Sequence, residues 1–290
     1  MTSPERLTGI LLLVAMPIGN AGDIGARALE LLARADVIAC EDTRRTGAML
    51  ATHQIRRPLI SYFEHNEQRR ISQIIERLQR GETVALVSDA GTPAISDPGF
   101  KLVRTAIEAG IPVTAVPGPS AAIAALTISG LPTDRFAFEG FLPERAAARR
   151  NALEQIARER RTLVFFEAAR RLAETLAGMA DAFGADRRAA VVRELTKTHE
   201  ETVRASLGEL ANRFRDERAL GEVTIVVEGA PEGYANRAPE ITVEDLTAEG
   251  VSLSSASAIV ARLSGRSRRE VYQEALRRKT NSTPNKGEDH

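Results

Sequence analysis

Three observations predict an α/β fold. Short apolar runs alternate with segments of helical period as far as Val227, polar loops rich in Gly and Pro close several of those runs, and a basic pair of helical patterns follows a linker. With 290 residues, 43% hydrophobic and 27% charged, the chain is long enough for two compact domains, each with its own core.

The first strand is predicted over 11–14, where Leu11, Leu12, Leu13 and Val14 form the unbroken apolar run of a strand buried on both faces. Over 23–35, Ile24, Ala28, Leu31, Leu32 and Ala35 lie on one face at helical spacing. Strands over 37–40, 83–87 and 112–116, with helices over 71–78 and 99–109, continue the alternation, and alternation of this kind builds a parallel sheet. The turn Pro117-Gly-Pro-Ser-Ala-Ala122 opens an apolar helix over 121–128 and, with it, a second α/β domain. Its strands are expected over 136–141, 163–166, 189–193 and 223–227, and its helices over 145–160, 170–183 and 207–218.

A linker over 232–239 leads to two helical patterns, 255–263 and 268–279, joined by Ser264-Gly-Arg-Ser267. Ser267 and Glu270 have the spacing of a capping box. Residues 281–290 are polar and without period, so a disordered tail is expected. The expected domains are therefore 1–119, 120–233 and 240–280, followed by the tail 281–290.

Composition narrows the function. A single cysteine excludes an internal disulfide, and four scattered histidines give no zinc spacing, so no metal is expected. Cys40 ends an apolar run and reads as a small buried residue rather than a nucleophile. The apolar stretch 7–18 is too short to span a bilayer and has no basic region before it, so a soluble cytoplasmic protein is expected. The net charge is zero, yet residues 262–279 hold seven Lys or Arg against two acids, and residues 144–171 hold eight Arg against four. Such basic faces are either solvated surface or contacts for a polyanion.

The most informative loop follows the strand at 84–87: Ser88-Asp-Ala-Gly-Thr-Pro93, then Ser96-Asp-Pro-Gly99. It is either a turn capped by Asp97 or a ligand loop, and it is longer than the roughly 2–6 residues that a strand-to-helix connection needs. No G-x-G-x-x-G follows the first strand, which argues against a dinucleotide cofactor. Two polar clusters offer groups for proton transfer: Glu64, His65, Asn66 and Glu67, and Arg193, Glu194, Lys197, His199 and Glu200. Each is alternatively plain surface.

Seven segments carry a resemblance in register: Val14-Ala-Met-Pro-Ile-Gly-Asn20, Ala39-Cys-Glu-Asp-Thr-Arg44, Glu64-His-Asn-Glu67, the 88–99 loop, Pro117-Gly-Pro-Ser120, Phe165-Phe-Glu167 and Arg193-Glu-Leu-Thr-Lys197. Together with the terminal helical pair they resemble the ribosomal RNA 2'-O-methyltransferase branch of the tetrapyrrole methylase superfamily. Met16 and Glu167-Ala-Ala-Arg-Arg171 depart from the family's usual Thr and Glu-Ala-Pro-His-Arg. The resemblance implies a two-domain tetrapyrrole methylase-like fold with a donor cleft between the domains, plus a small helix-turn-helix-like C-terminal domain. It implies S-adenosyl-L-methionine as cofactor, methylation of a cytidine 2'-hydroxyl in 16S rRNA of the small ribosomal subunit (decoding region), and a homodimer.

Under that resemblance the methyl donor is expected to meet Asp89, Gly91, Thr92, Ala94 and Ile95, with Ser120 and Ala121 at a helix N-terminus. Phe166 either covers the adenine or fills the core. Candidate catalytic residues are Glu64, His65, Asn66, Lys197 and Glu200. Arg266, Arg268 and Arg269 are the expected RNA contacts, and Arg44 either joins them or pairs locally with its acidic neighbours. Aromatic residues make up only 4% of the chain, so charge rather than stacking must capture RNA. The rival readings are a tetrapyrrole C-methyltransferase, which needs no basic terminal domain, and a noncatalytic RNA-binding module, which needs no donor loop.

Overall fold

The computed structural model describes residues 9–216, 221–232 and 242–281. Most of the expected linker and the expected tail beyond Asn281 lie outside the described residues. The chain divides into two compact units, Met1–Tyr234 and Ala235–His290.

The first unit contains two five-stranded sheets. One is built from β1 (Ile10–Val14), β2 (Val37–Cys40), β3 (Leu59–Ser61), β4 (Thr83–Leu86) and β5 (Val113–Val116), in the order β3-β2-β4-β1-β5. Every pairing in it is parallel. Its connecting helices are α1 (Ala26–Arg34), α2 (Thr43–Thr52), α3 (Glu67–Gln79) and α4 (Phe100–Glu108). Unbroken apolar strands are what burial on both faces requires. Leu12, Val14, Ile38 and Ala85 pack toward Ala28 and Leu32 of α1, while Leu11, Ala39, Val84 and Leu86 pack toward Ile74, Leu78 and Leu102 of α3 and α4. Cys40 is fully buried at the end of β2.

The second sheet contains β6 (Phe136–Phe141), β7 (Thr162–Ala168), β8 (Arg188–Arg193), β9 (Glu201–Ser206) and β10 (Glu222–Val227), in the order β6-β7-β10-β8-β9. Only β6 and β7 pair in parallel; the other three pairings are antiparallel. Helix α5 (Ala121–Ile128) covers one face, through Ala125 and Leu126 on Val164, Ala190 and Val226. The other face carries α6 (Ala146–Ile156), α7 (Leu172–Phe183) and α8 (Leu207–Asp216) over Phe165, Val191 and Ile225.

In the second unit α9 (Val243–Ala248), α10 (Leu253–Ser264) and α11 (Arg268–Asn281) enclose a small core of Val243, Ala256, Ala261, Val271 and Ala275. Gly265, at φ 70°, closes α10 in the left-handed conformation that glycine adopts without strain. No helix among the described residues is long and apolar enough to cross a membrane.

Candidate active site

Strand β4 ends at Leu86, and the polar loop that follows is held from two sides. Met16 and Gly91 exchange backbone hydrogen bonds, Met16 N to Gly91 O at 2.8 Å and Gly91 N to Met16 O at 3.0 Å. Thr92 Oγ1 donates to Pro119 O at 3.4 Å, so the loops after β1, β4 and β5 are joined. Gly91 takes φ +71°, and Ala94 and Ser96 take φ 68° and 60° without being glycine. Non-glycine residues adopt this region at a cost and cluster at functional sites.

These loops form one wall of a cavity of about 900 Å³ inside the first unit. It opens at the carboxyl ends of the parallel strands, where ligands bind in open α/β sheets. Residues after β7 and at the ends of β8 and β10 form the opposite wall. Phe166 contributes an aromatic surface, tilted against Phe141 with ring centroids 5.6 Å apart; Phe141 is 55% exposed. Helix α5 begins at the cavity, with Ser120 as its N-cap and no side-chain capping bond. Its first N–H groups have no carbonyl within the helix and favour an anionic group.

Of the expected donor contacts, Gly91, Thr92, Ile95, Ser120, Ala121 and Phe166 line this cavity. Asp89 and Ala94 do not. Asp89 accepts from Asp42 N at 3.1 Å and pairs with Arg45 at 3.0 Å, so its carboxylate ties the loop to the start of α2. Ala94 packs beneath Gly99. Ile18, Asp97, Leu195 and Glu222 also line the cavity, and they come from four separate stretches of chain. Asp97 is visible in the sequence as a polar member of its loop, and Ile18 and Leu195 lie in segments that carry the resemblance; nothing local marks Glu222, and the meeting of all four is a product of topology.

Lys197 does not line the cavity but holds Glu222, which does. Its Nζ donates to Glu194 Oε1 at 3.0 Å and to Glu222 Oε2 at 3.3 Å. Burial pushes the ammonium pKa down, but the carboxylates of Glu194 and Glu222 more than offset this, and the net shift is upward. A lysine held in its charged form is an electrostatic group, not a proton acceptor. Glu200 accepts the Thr196 N–H at 2.6 Å and shapes the loop that presents Lys197. Glu194 and Thr196 take φ 50° and 66° in that loop. A Cβ on Gly19 would lie 2.6 Å from Lys197 Cγ, so the loop after β1 can approach this segment only as glycine.

The other polar cluster serves a different end. Glu64 and His65 are exposed and do not line the cavity. Asn66 folds its own turn, accepting from Phe63 N at 2.9 Å and donating to Ser61 O at 3.1 Å. Its neighbour Glu67 is buried and accepts from Tyr62 Oη at 2.9 Å and from Lys101 Nζ at 2.8 Å. Burial raises the Glu67 carboxyl, but hydrogen bonds from Lys101 and Tyr62, helped by the Gly99 N–H, bring it below its ordinary value. Glu67 thus braces the far end of the 88–99 loop.

Replacing Glu67 with Ala is expected to cost about 1–3 kcal/mol, because the buried Tyr62 hydroxyl loses its acceptor while Lys101 can turn to water. Since the folded-state pKa is lowered, the part of this stability that depends on the charged carboxylate is complete above the unfolded carboxyl value of about 4.3. It disappears as pH falls through the lower folded value. Urea unfolding of both proteins across the acid range would check this; curves separated by the same amount at every pH would contradict it.

Arg44 lies 90% exposed and pairs with Asp42 at 3.0 Å. Hydrogen bonds from the Arg44 side chain and backbone hold the Asp42 carboxyl down at about 2. In the second unit Arg268 donates to Ser254 Oγ at 2.9 Å, Arg266 pairs with Glu274 at 2.6 Å, and Arg268 and Arg269 flank a shallow groove with Tyr272 and Leu276.

Residues 11–211 match the family described as Tetrapyrrole (Corrin/Porphyrin) Methylases, and residues 241–279 match the RsmI C-terminal HTH domain. The chain resembles uroporphyrin-III C-methyl transferase from Thermus thermophilus, solved in complex with S-adenyl homocysteine, with a TM-score of 0.53 and 22% identity over 75% of this chain and 96% of that one. The fold is that of a tetrapyrrole-type methylase. Ribosomal RNA small subunit methyltransferase I of Haemophilus influenzae is 45% identical over 93% of this chain and 97% of its own, and that of Xylella fastidiosa is 48% identical over 91% and 98%. The chain belongs to the ribosomal RNA small subunit methyltransferase I family.

Proposed function

We propose that the protein transfers a methyl group from S-adenosyl-L-methionine to the 2'-hydroxyl of a cytidine ribose in 16S rRNA of the small ribosomal subunit. The observation that carries this reading is the cavity at the carboxyl ends of the parallel sheet, in a chain that matches rRNA methyltransferases along nearly its whole length.

The cavity's residues fit the methyl donor. Its volume lies within the roughly 300–1,000 Å³ of small-molecule sites. Ile18, Phe141 and Phe166 offer apolar surface for an adenine, and the N-terminus of α5 offers N–H groups for a carboxylate. The lining carries both signs of charge, Asp97, Glu167 and Glu222 with Arg170 and Arg215, as a donor with both a carboxylate and a sulfonium requires. When bound, the donor supplies an electrophilic methyl on a sulfonium. The protein's part is to hold the ribose oxygen in line, exclude water and accept a proton. Lys197, charged and fixed between Glu194 and Glu222, favours negative charge developing on that oxygen.

RNA capture falls to the basic segments, chiefly Arg266, Arg268 and Arg269, with Arg44 on the catalytic unit. The domain boundaries near 119 and 233 follow from this division of labour: a lobe for each sheet and a terminal unit for RNA. Exposed Phe100 and Ile107, seven residues apart on α4 and 66% and 61% exposed, support a homodimer. An enzyme acting on ribosomal subunits works in the cytoplasm.

The test is methyl transfer from labelled S-adenosylmethionine to small subunits lacking the modification, with free RNA and a tetrapyrrole precursor alongside. Label mapped to a cytidine 2'-oxygen is expected. Label in the tetrapyrrole alone, or in nothing despite donor binding, would overturn the reading.

A further inference from the structure

Three carboxylates line the cavity among the described residues: Asp97, Glu167 and Glu222. Glu167 is fully engaged, accepting from Arg171 Nε at 2.9 Å, Thr175 Oγ1 at 2.6 Å and the Ala168 N–H at 2.7 Å. Glu222 is 74% exposed and partners Lys197. Asp97 differs from both. It is partly buried, and no ion pair among the described residues engages it. The loop that carries it is pinned to β1 through Gly91, to Pro119 through Thr92, and to Glu67 at Gly99. Among the described residues no His, Cys, Tyr or Lys lines the cavity, so Asp97 is its one lining group that is neither exposed nor engaged by a cation and can take up a proton.

Resting on the methyltransferase reading above, we propose that Asp97 is the catalytic base that takes the proton from the acceptor ribose hydroxyl. The oxygen–hydrogen bond breaks toward an Asp97 oxygen as the oxygen–methyl bond forms. Sulfur keeps the electron pair of the broken sulfur–methyl bond and becomes a neutral thioether, and the proton passes from Asp97 to water.

The surroundings of Asp97 suit this task. Burial pushes its carboxyl up to about 6, a hydrogen bond from Ser88 lowers it, and the nearby Glu41 and Asp89 raise it further. Arg45, on α2, neutralises Asp89 and limits that contribution. A base with a pKa near the working pH is both ionised and able to hold the proton.

The test is Asp97→Asn in the full chain, with methyl transfer to subunits measured against pH and S-adenosylhomocysteine binding measured by calorimetry. The wild-type rate is expected to decline as pH falls through about 6. In the variant that limb disappears and kcat falls about a hundredfold or more, with S-adenosylhomocysteine affinity unchanged. Weakened binding with kcat retained at saturating donor would make Asp97 a donor contact and overturn the proposal, as would an unchanged rate. Should the Asn variant fail to fold, Glu41→Gln decides: removing this like charge lowers the Asp97 pKa and moves the acid limb to lower pH, and an unmoved limb counts against Asp97. A wild-type protein that transfers nothing to subunits would overturn the methyltransferase reading itself and this assignment with it.

Discussion

Glu167→Ala is expected to destabilise the protein by about 3–5 kcal/mol, the range for removing one partner of a buried ion pair. The Glu167 side chain is wholly buried, and the Arg171 it holds is 13% exposed. Alanine strips that guanidinium of its two bonds to Oε1 and strips Thr175, fully buried, of its acceptor. Among the described residues the only other carboxylate paired with Arg171 is Glu144, at 3.9 Å and 77% exposed. Glu167→Gln keeps an acceptor for Thr175 and should restore part of the stability. The measurement is the urea midpoint at constant m-value. Because Glu167 directly follows Phe166 and precedes the turn to α7, S-adenosylhomocysteine affinity should fall in the Ala variant as well. A midpoint close to wild type would mean that the turn is held by packing alone.

The second large effect is expected in the terminal unit. Arg268→Glu with Arg269→Glu should weaken capture of small-subunit RNA at least about tenfold, and the log–log salt slope should flatten by about 0.7–0.9 for every phosphate that the variant no longer neutralises. Both residues flank the groove with Tyr272 and Leu276, and Leu276 is 41% exposed. Binding of S-adenosylhomocysteine, which belongs to the first unit, should not move. Filter binding across a salt series and calorimetry with the donor product alone separate the two. An equal drop in both activities would show that these arginines support the fold rather than meet RNA.

Most of the parallel sheet is legible in the sequence because burial on both faces leaves an unmistakable record, a run such as Leu11-Leu-Leu-Val14. Four elements leave no such record, each for a physical reason. Strand β3 has only three residues, and β9, at an edge of its sheet, reads Glu-Thr-Val-Arg-Ala-Ser with little apolar signal. Helix α2 carries only Met49 and Leu50 as large apolar residues in a polar stretch. Helix α9 spans six residues, too short to reveal a period, although Thr242 and Asp245 form a capping box at its start. Helix ends also differ: the helix expected over 71–78 begins at Glu67, and the one expected over 23–35 begins at Ala26 after a 3-10 turn over Ala21–Asp23. Parallel pairing, expected for the first sheet, extends in the second only to β6 and β7, because antiparallel neighbours such as β8 and β9 are joined by the short loop 194–200 without a crossover helix.

By itself the sequence determined the alternation of strands and helices, the loop after β4 and the basic terminal unit. Each is written in a local pattern: apolar runs, Gly and Pro spacing, and charge density. Only the tertiary structure decided which polar groups share a cavity. Glu64 and Asp89 look chemically apt in isolation, yet Glu64 is left in solvent and Asp89 is held by Arg45 and the start of α2. Asp97 gains its place because the strand order β2-β4-β1-β5 brings the loops after β1, β4 and β5 together, opposite the strand ends of the second sheet. A carboxylate's partners and burial are set by residues far away in the chain, and no local pattern records them.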